Sequence, residues 1–213
     1  MTPDPLLDSL VADLKPVQPL RHRQLLAWVG GLCAIEVAVY LLLGQARPDL
    51  AEAVWLPSFW WKLSAPGAIA VAASTATLRS LDPSVSPRRG LLAVACIALG
   101  GLVFALALLP LWDDSNAISQ RLMWRHGLAC LRTMLVLSLP VIVPLGLLLR
   151  RGAPIDAKGS AISAGAAAGA WGAFVFAFNC PHDDPLYVAV WFTLSISAVT
   201  LMARLVLPFV SRW

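Results

Sequence analysis

Charge is what this sequence has least of: Asp, Glu, Lys and Arg make up 13% of its residues, against 59% that are apolar. With a mean hydropathy of +0.75 over 213 residues, that shortage excludes a water-soluble domain and points to a membrane. Also missing are GxSxG, HExxH, a Walker-type loop and GxGxxG, so the chain offers no common hydrolase or nucleotide site and reads as not an enzyme. Its adjacent carboxylate pairs, Asp113 with Asp114 and Asp183 with Asp184, fall in turns, where solvated loop residues are the default. There is no CxxC, which removes the strongest zinc signature and weighs against a membrane thiol-disulfide oxidoreductase. Ionisable residues within the apolar runs are scarce, which weighs against a small metal transporter component. Those two functions stand as the alternatives.

What is present is a series of apolar runs near the twenty residues that carry a helix across a bilayer. They lie at about 24–43, 59–78, 90–109, 131–149, 160–178 and 186–207. The runs are continuous rather than alternating, so the chain reads as all-α, a polytopic six-transmembrane-helix bundle rather than a barrel. The first run lacks a small-residue cleavage site and reads as an anchor, not a removable signal peptide. Lys15, Arg21, Arg23, Arg79, Arg88, Arg89, Arg150, Arg151, Lys158, Arg204 and Arg212 all fall on one side of this topology. The positive-inside bias therefore puts both termini in the cytoplasm. These basic residues are dispersed in short loops and form no extended patch, so no nucleic-acid partner is expected. Three regions follow: 1–23, a cytoplasmic amphipathic segment; 24–207, the six-helix bundle; and 208–213, a cytoplasmic end.

The N-terminal segment carries Leu6, Leu7, Leu10, Val11 and Leu14 at helical spacing, with Asp8 and Asp13 off that stripe. Asp4 and Pro5 are start signals, and Pro16 and Pro19 stop it. A helix of about ten residues needs a surface on which to bury its leucines. Its aspartates disfavour a lipid surface, which leaves its own bundle or the groove of a cytoplasmic partner.

Four cysteines divide by position. Cys33 and Cys96 lie deep in the first and third runs and read as small buried hydrophobes. Cys130 and Cys180 share the outer side, at the ends of antiparallel neighbours. A structural disulfide, a pair that opens and closes, and a low-specificity metal site all fit. The metal reading would add His126, His182, Asp183 and Asp184 as ligands. Glu36, in mid-span, reads as a buried partner of Arg132 or Lys62 or as a protonated acid. Ala161, Gly165, Gly169 and Ala173 form a small-xxx-small packing face, and Pro140 with Pro144 predicts a kink in the fourth helix. Trp55, Trp60, Trp61, Trp112, Trp124, Tyr187 and Trp213 fit interfacial belts.

The N-terminal "LLDSLVADLKPVQPLRHR", the six runs, "WRHGLACL" ahead of the fourth and "FNCPHDDPLYVAVWF" into the sixth together resemble the NrsF-type anti-sigma factors. These are negative regulators of bacterial extracytoplasmic-function sigma factors. The resemblance spans nearly the whole chain. It implies an integral inner-membrane protein that holds its sigma factor inactive at the cytoplasmic face and releases it under heavy-metal or oxidative stress sensed outside. It further implies that sensing falls on the cysteines matching Cys130 and Cys180. No resident cofactor is expected, only transient heavy-metal binding at that pair.

Overall fold

The structure, a computed structural model, describes residues 22–108, 118–152 and 154–210. The stripe of Leu6, Leu7, Leu10, Val11 and Leu14 lies outside the described residues, as do Asp113, Asp114, Trp112 and Trp213. Every regular element among the described residues is helical: α1 (His22–Leu42), α2 (Leu50–Ala53), α3 (Pro57–Arg79), α4 (Arg88–Leu108), α5 (Ile118–Leu122), α6 (Trp124–Leu137), α7 (Leu139–Arg151), α8 (Ala157–Phe176) and α9 (Pro185–Val210).

The bundle is organised around α8. Its sequence is mostly Ala and Gly, which leaves a thin cylinder that neighbours can approach closely. A Cβ on Gly165 would stand 2.6 Å from Cβ of Ala203 and 2.7 Å from Cα of Thr200, and one on Gly169 would stand 3.0 Å from Cα of Ile196. The small-residue face is thus the seat of α9, as its spacing predicts. α3, α6 and α7 cover the rest of α8, and Asp156 starts the helix by accepting a 2.8 Å hydrogen bond from the Gly159 amide.

α6 and α7 are one bent rod, turning by 42° at Ser138. Proline at position 140 has no N–H for the carbonyl four residues back, and its ring collides with that carbonyl, so the helix breaks just before it. Ser138 Oγ donates to the Leu135 carbonyl (2.7 Å) and patches the break. The break is packed against α8: a Cβ on Gly172 would lie 2.4 Å from the Met134 carbonyl oxygen.

Among the described residues four helices are long and apolar enough to cross a membrane, namely α1, α4, α8 and α9, or five if the bent rod is one span. α3, at 23 residues, has the length, but Lys62 and its Ser and Thr residues lower its hydropathy. The outward faces of α1 and α4 are apolar and uncovered: Ile35, Leu42, Leu92, Leu99 and Val103 are all more than 60% exposed. A surface of this kind is compatible with lipid.

Candidate functional site

All the partnered charges described below meet at one end of the bundle, where α1, α6 and α8 finish or start and the 177–184 turn crosses toward α9. Lys62, near the start of α3, is fully buried. Its ammonium donates to the carbonyl oxygens of Cys180 (2.9 Å) and His182 (3.3 Å) and to Asp183 Oδ1 (2.6 Å). Arg47, in the turn after α1, adds bonds to Asp183 at 3.2–3.3 Å, to the Cys180 carbonyl (3.5 Å) and, bidentately, to Asp49 at 2.7 Å. The Arg47 amide donates to the Phe178 carbonyl (2.9 Å). Two cations, one from α3 and one from the turn after α1, therefore hold the 180–183 turn by its backbone and its carboxylate. Burying them is tolerable because each has anionic and carbonyl partners.

A second clamp fixes α5 and α6. Arg121 takes Asp184 through two bonds of 2.9 and 2.7 Å, and Trp191 Nε1 donates to the Leu122 carbonyl (2.9 Å). Trp191 lies flat on α6 only because residue 127 is glycine, where a Cβ would come within 1.9 Å of the indole. Met123 adopts φ 40°, a left-handed conformation that turns α5 into α6.

These clamps bring Cys130 and Cys180 together. Both are free thiols, Cys180 fully buried and Cys130 half-buried, and Cys130 packs against the apolar cluster that holds Cys180, Tyr187 and Trp191. Cys130 Sγ also lies 3.2 Å from the Tyr187 hydroxyl, and Cys180 Sγ donates weakly to the His182 carbonyl (3.6 Å). The contact with Cys130 and then burial push the Cys180 thiol up, against the pull of the Lys62 charge. Two adjacent sulfurs can become a disulfide by giving two protons and two electrons to an oxidant, or lose two protons to hold one soft cation.

The remaining sequence candidates separate by occupation. Asp183 and Asp184 are already committed to Lys62, Arg47 and Arg121. The rings of His126 and His182 stand 6.1 Å apart, and His182 stacks obliquely on Tyr187 at 4.8 Å. Burial, then the charge of His126, holds the His182 pKa below its usual value. Among the described residues no three His, Cys, Asp or Glu side chains are grouped to hold a metal ion.

Several expectations need correction. Tyr187 is 1% exposed and belongs to this site rather than to an interfacial belt, whereas Trp55, Trp60 and Trp124 are exposed as a belt requires. Glu36 is bonded to Trp171 Nε1 (2.8 Å), not to Arg132 or Lys62, because Lys62 is taken by the 180–183 turn. Cys33 is half-buried, but Cys96 faces outward from α4.

A family model described as "Negative regulator of sigma F" (NrsF) matches residues 10–213. The chain belongs to the NrsF family. Across all of both chains it is 32% identical to "Anti-sigma-F factor NrsF" of Caulobacter vibrioides (strain NA1000 / CB15N). It is likewise 25% identical over the whole of both chains to "Probable anti-sigma-F factor NrsF" of Azospira oryzae. No solved structure matches. The NrsF resemblance read from the sequence is thus shown over nearly the whole chain, and with it a regulatory, anti-sigma class. Missed from the sequence were Arg47, Arg121 and Trp191 as supports of the cysteine pair. The two arginines carried one signal, their sign: basic residues in connections between the long runs that are otherwise acidic, on the side of the aspartates of "HDDP".

Proposed function

We propose that this chain is a six-span inner-membrane anti-sigma factor with both termini in the cytoplasm. It sequesters an extracytoplasmic-function sigma factor there, through the stripe Leu6, Leu7, Leu10, Val11 and Leu14, and releases it when Cys130 and Cys180 meet an oxidant or a soft metal ion outside. The relatives' names support a sigma factor as partner. The exposed apolar faces of α1 and α4 support the membrane, and the exposed basic residues at the opposite end from the thiols support the orientation.

One observation carries the trigger: two free thiols packed in one cluster toward the start of a bent rod, with the bend itself seated on Gly172. Half-buried Cys130 is the sulfur that solution reaches, and buried Cys180 resolves it. Joining the sulfurs, or bridging them with a soft cation, shifts the start of α6 against α8 and α9, and the break at Ser138 passes that shift to α7 and the far end. A tenfold loss of sigma affinity needs only about 1.4 kcal/mol of coupling.

The test is capture of the cell's sigma factors on the detergent-solubilised chain, with reductant and again with diamide or cadmium. One sigma factor should be retained at rest and lost under stress. The Cys130→Ser, Cys180→Ser double variant should retain it throughout. Release that persists in the double variant would remove the cysteine trigger, and capture of no sigma factor would remove the partner.

A further inference from the structure

The bend between α6 and α7 has a second consequence. α9 runs on while the rod turns away, and the wedge between them is a groove of about 630 Å³. Leu135, Leu139, Met202 and Val206 are among the apolar residues that line it. At one end α7 and α9 close on each other, where a Cβ on Gly146 would stand 2.9 Å from Leu207 Cδ2. Toward the other end, one turn inside Leu128, stands Arg132, the one charged residue of the lining. The two ends are fourteen residues apart along the rod, about 21 Å, which is more than one leaflet of a ~30 Å hydrocarbon core.

Arg132 is exposed on the outer surface of α6 and has no hydrogen-bond or ion-pair partner among the described residues, since Glu36 bonds elsewhere. Arg125, two turns nearer the helix start, is exposed in the same way. An arginine facing hydrocarbon without an anion is costly, and its side chain leans toward the helix N-terminus, where lipid headgroups would lie. A guanidinium takes a phosphate bidentately, and an acyl chain matches the groove below it.

We propose that this groove binds one anionic phospholipid, its acyl chain along α7 and α9 and its phosphate on Arg132. The site is separate from the thiol pair, though it shares α6 with it. It rests on the membrane reading above, and the test keeps the two apart. Cells making the full chain are lysed without detergent and sedimented at high speed; chain left in the supernatant overturns the membrane reading itself. Sedimented chain is purified in mild detergent, stripped of lipid and titrated with phosphatidylglycerol or phosphatidylcholine of the same acyl chains, with bound lipid counted by native mass spectrometry. Phosphatidylglycerol should bind at least tenfold more tightly. Arg132→Gln should erase that preference, Arg132→Lys should keep part of it, and Val143→Trp, which fills the groove, should weaken both lipids. Should Arg132→Gln not fold, the Lys and Trp variants carry the comparison. Equal affinity of the wild type for both lipids, or an unchanged preference in Arg132→Gln, overturns the site, as does a doubled mass with no lipid, which would put a second copy on the groove.

Discussion

The two ends of the bundle handle charge in opposite ways. At the thiol end Lys62 and Arg47 are buried and hold Asp183, and Arg121 holds Asp184, so every one of these charges is spent on fixing the 180–184 turn. At the other end Arg79, Arg88, Arg89, Arg150, Arg151 and Lys158 are exposed and form no ion pair among the described residues. One end is built to keep its own shape, which a pair of facing sulfurs requires. The other presents charge outward, as a surface that meets a partner or anionic headgroups must.

The largest effect should come from breaking the built end. Asp183→Ala leaves Lys62 a buried cation with only carbonyl partners, while Arg47 keeps Asp49, and removing one member of such a group costs about 3–5 kcal/mol. Thermal unfolding in detergent should show that loss, and diamide should no longer join Cys130 to Cys180 in a non-reducing gel assay. Lys62→Met is the milder version: Asp183 keeps Arg47, but the His182 carbonyl loses its Lys62 donor and the Cys180 carbonyl keeps only the 3.5 Å bond from Arg47, for about 2 kcal/mol. Its disulfide should form more slowly than that of Lys62→Arg, which keeps the charge. Equal rates would mean that Lys62 fills space and does not position the thiol.

Overpacking comes next. Gly172→Ala drives a methyl into the Met134 carbonyl at the Ser138 break, and should cost about 1–3 kcal/mol. Because the bend joins the two ends, this variant should also alter sigma capture while leaving the thiols free. Unchanged capture would separate the ends mechanically. Against these stands Arg88→Ala or Arg150→Ala. Each is exposed and without an ion pair, so melting should move by less than about 0.5 kcal/mol while sigma capture weakens. A large stability loss there would dissolve the contrast between the ends.

How much of this was legible in the sequence depends on what each feature needs. Helices announced themselves by length and apolarity, the kink by Pro140, and a close-packing face on α8 by four-residue spacing of small residues, because these are local properties of the chain. That Cys130 and Cys180 lie at the same end of the bundle followed from chain order, since antiparallel neighbours share an end. Tyr187 looked like an interfacial aromatic because its position along the chain, and not its inward direction, is what a sequence displays. Lys62 could be seen as an ionisable residue in an apolar run, but its partner lies about 120 positions away and only the fold joins them. The partners expected for Glu36 were wrong for the same reason: an indole donor on α8 carries no charge by which to be matched.

The smallest effect is the one with the sharpest signature, a dependence on pH that only the built end should show. Asp49 is held at about 2 by its hydrogen bond from Arg47, below the ordinary carboxylate value near 3.9. A depressed carboxylate contributes stability above its unfolded pKa and loses it as pH falls through the folded one, so the window runs from about pH 4 down to about pH 2. Asp49 is half exposed, so solvent screening keeps the amount small. His182 titrates in a different window: its pKa is lowered in the fold, so its contribution is complete above about pH 6.5 and declines below it as the unfolded chain takes up the proton first. Melting curves of the wild type and of Asp49→Asn should therefore converge near pH 2 and separate above pH 4, while His182→Gln should flatten only the limb just below pH 6.5. If Asp49→Asn changed the higher limb instead, the Arg47 clamp would be coupled to the imidazole, and the two sides of the 180–184 turn would have to be treated as one titrating unit.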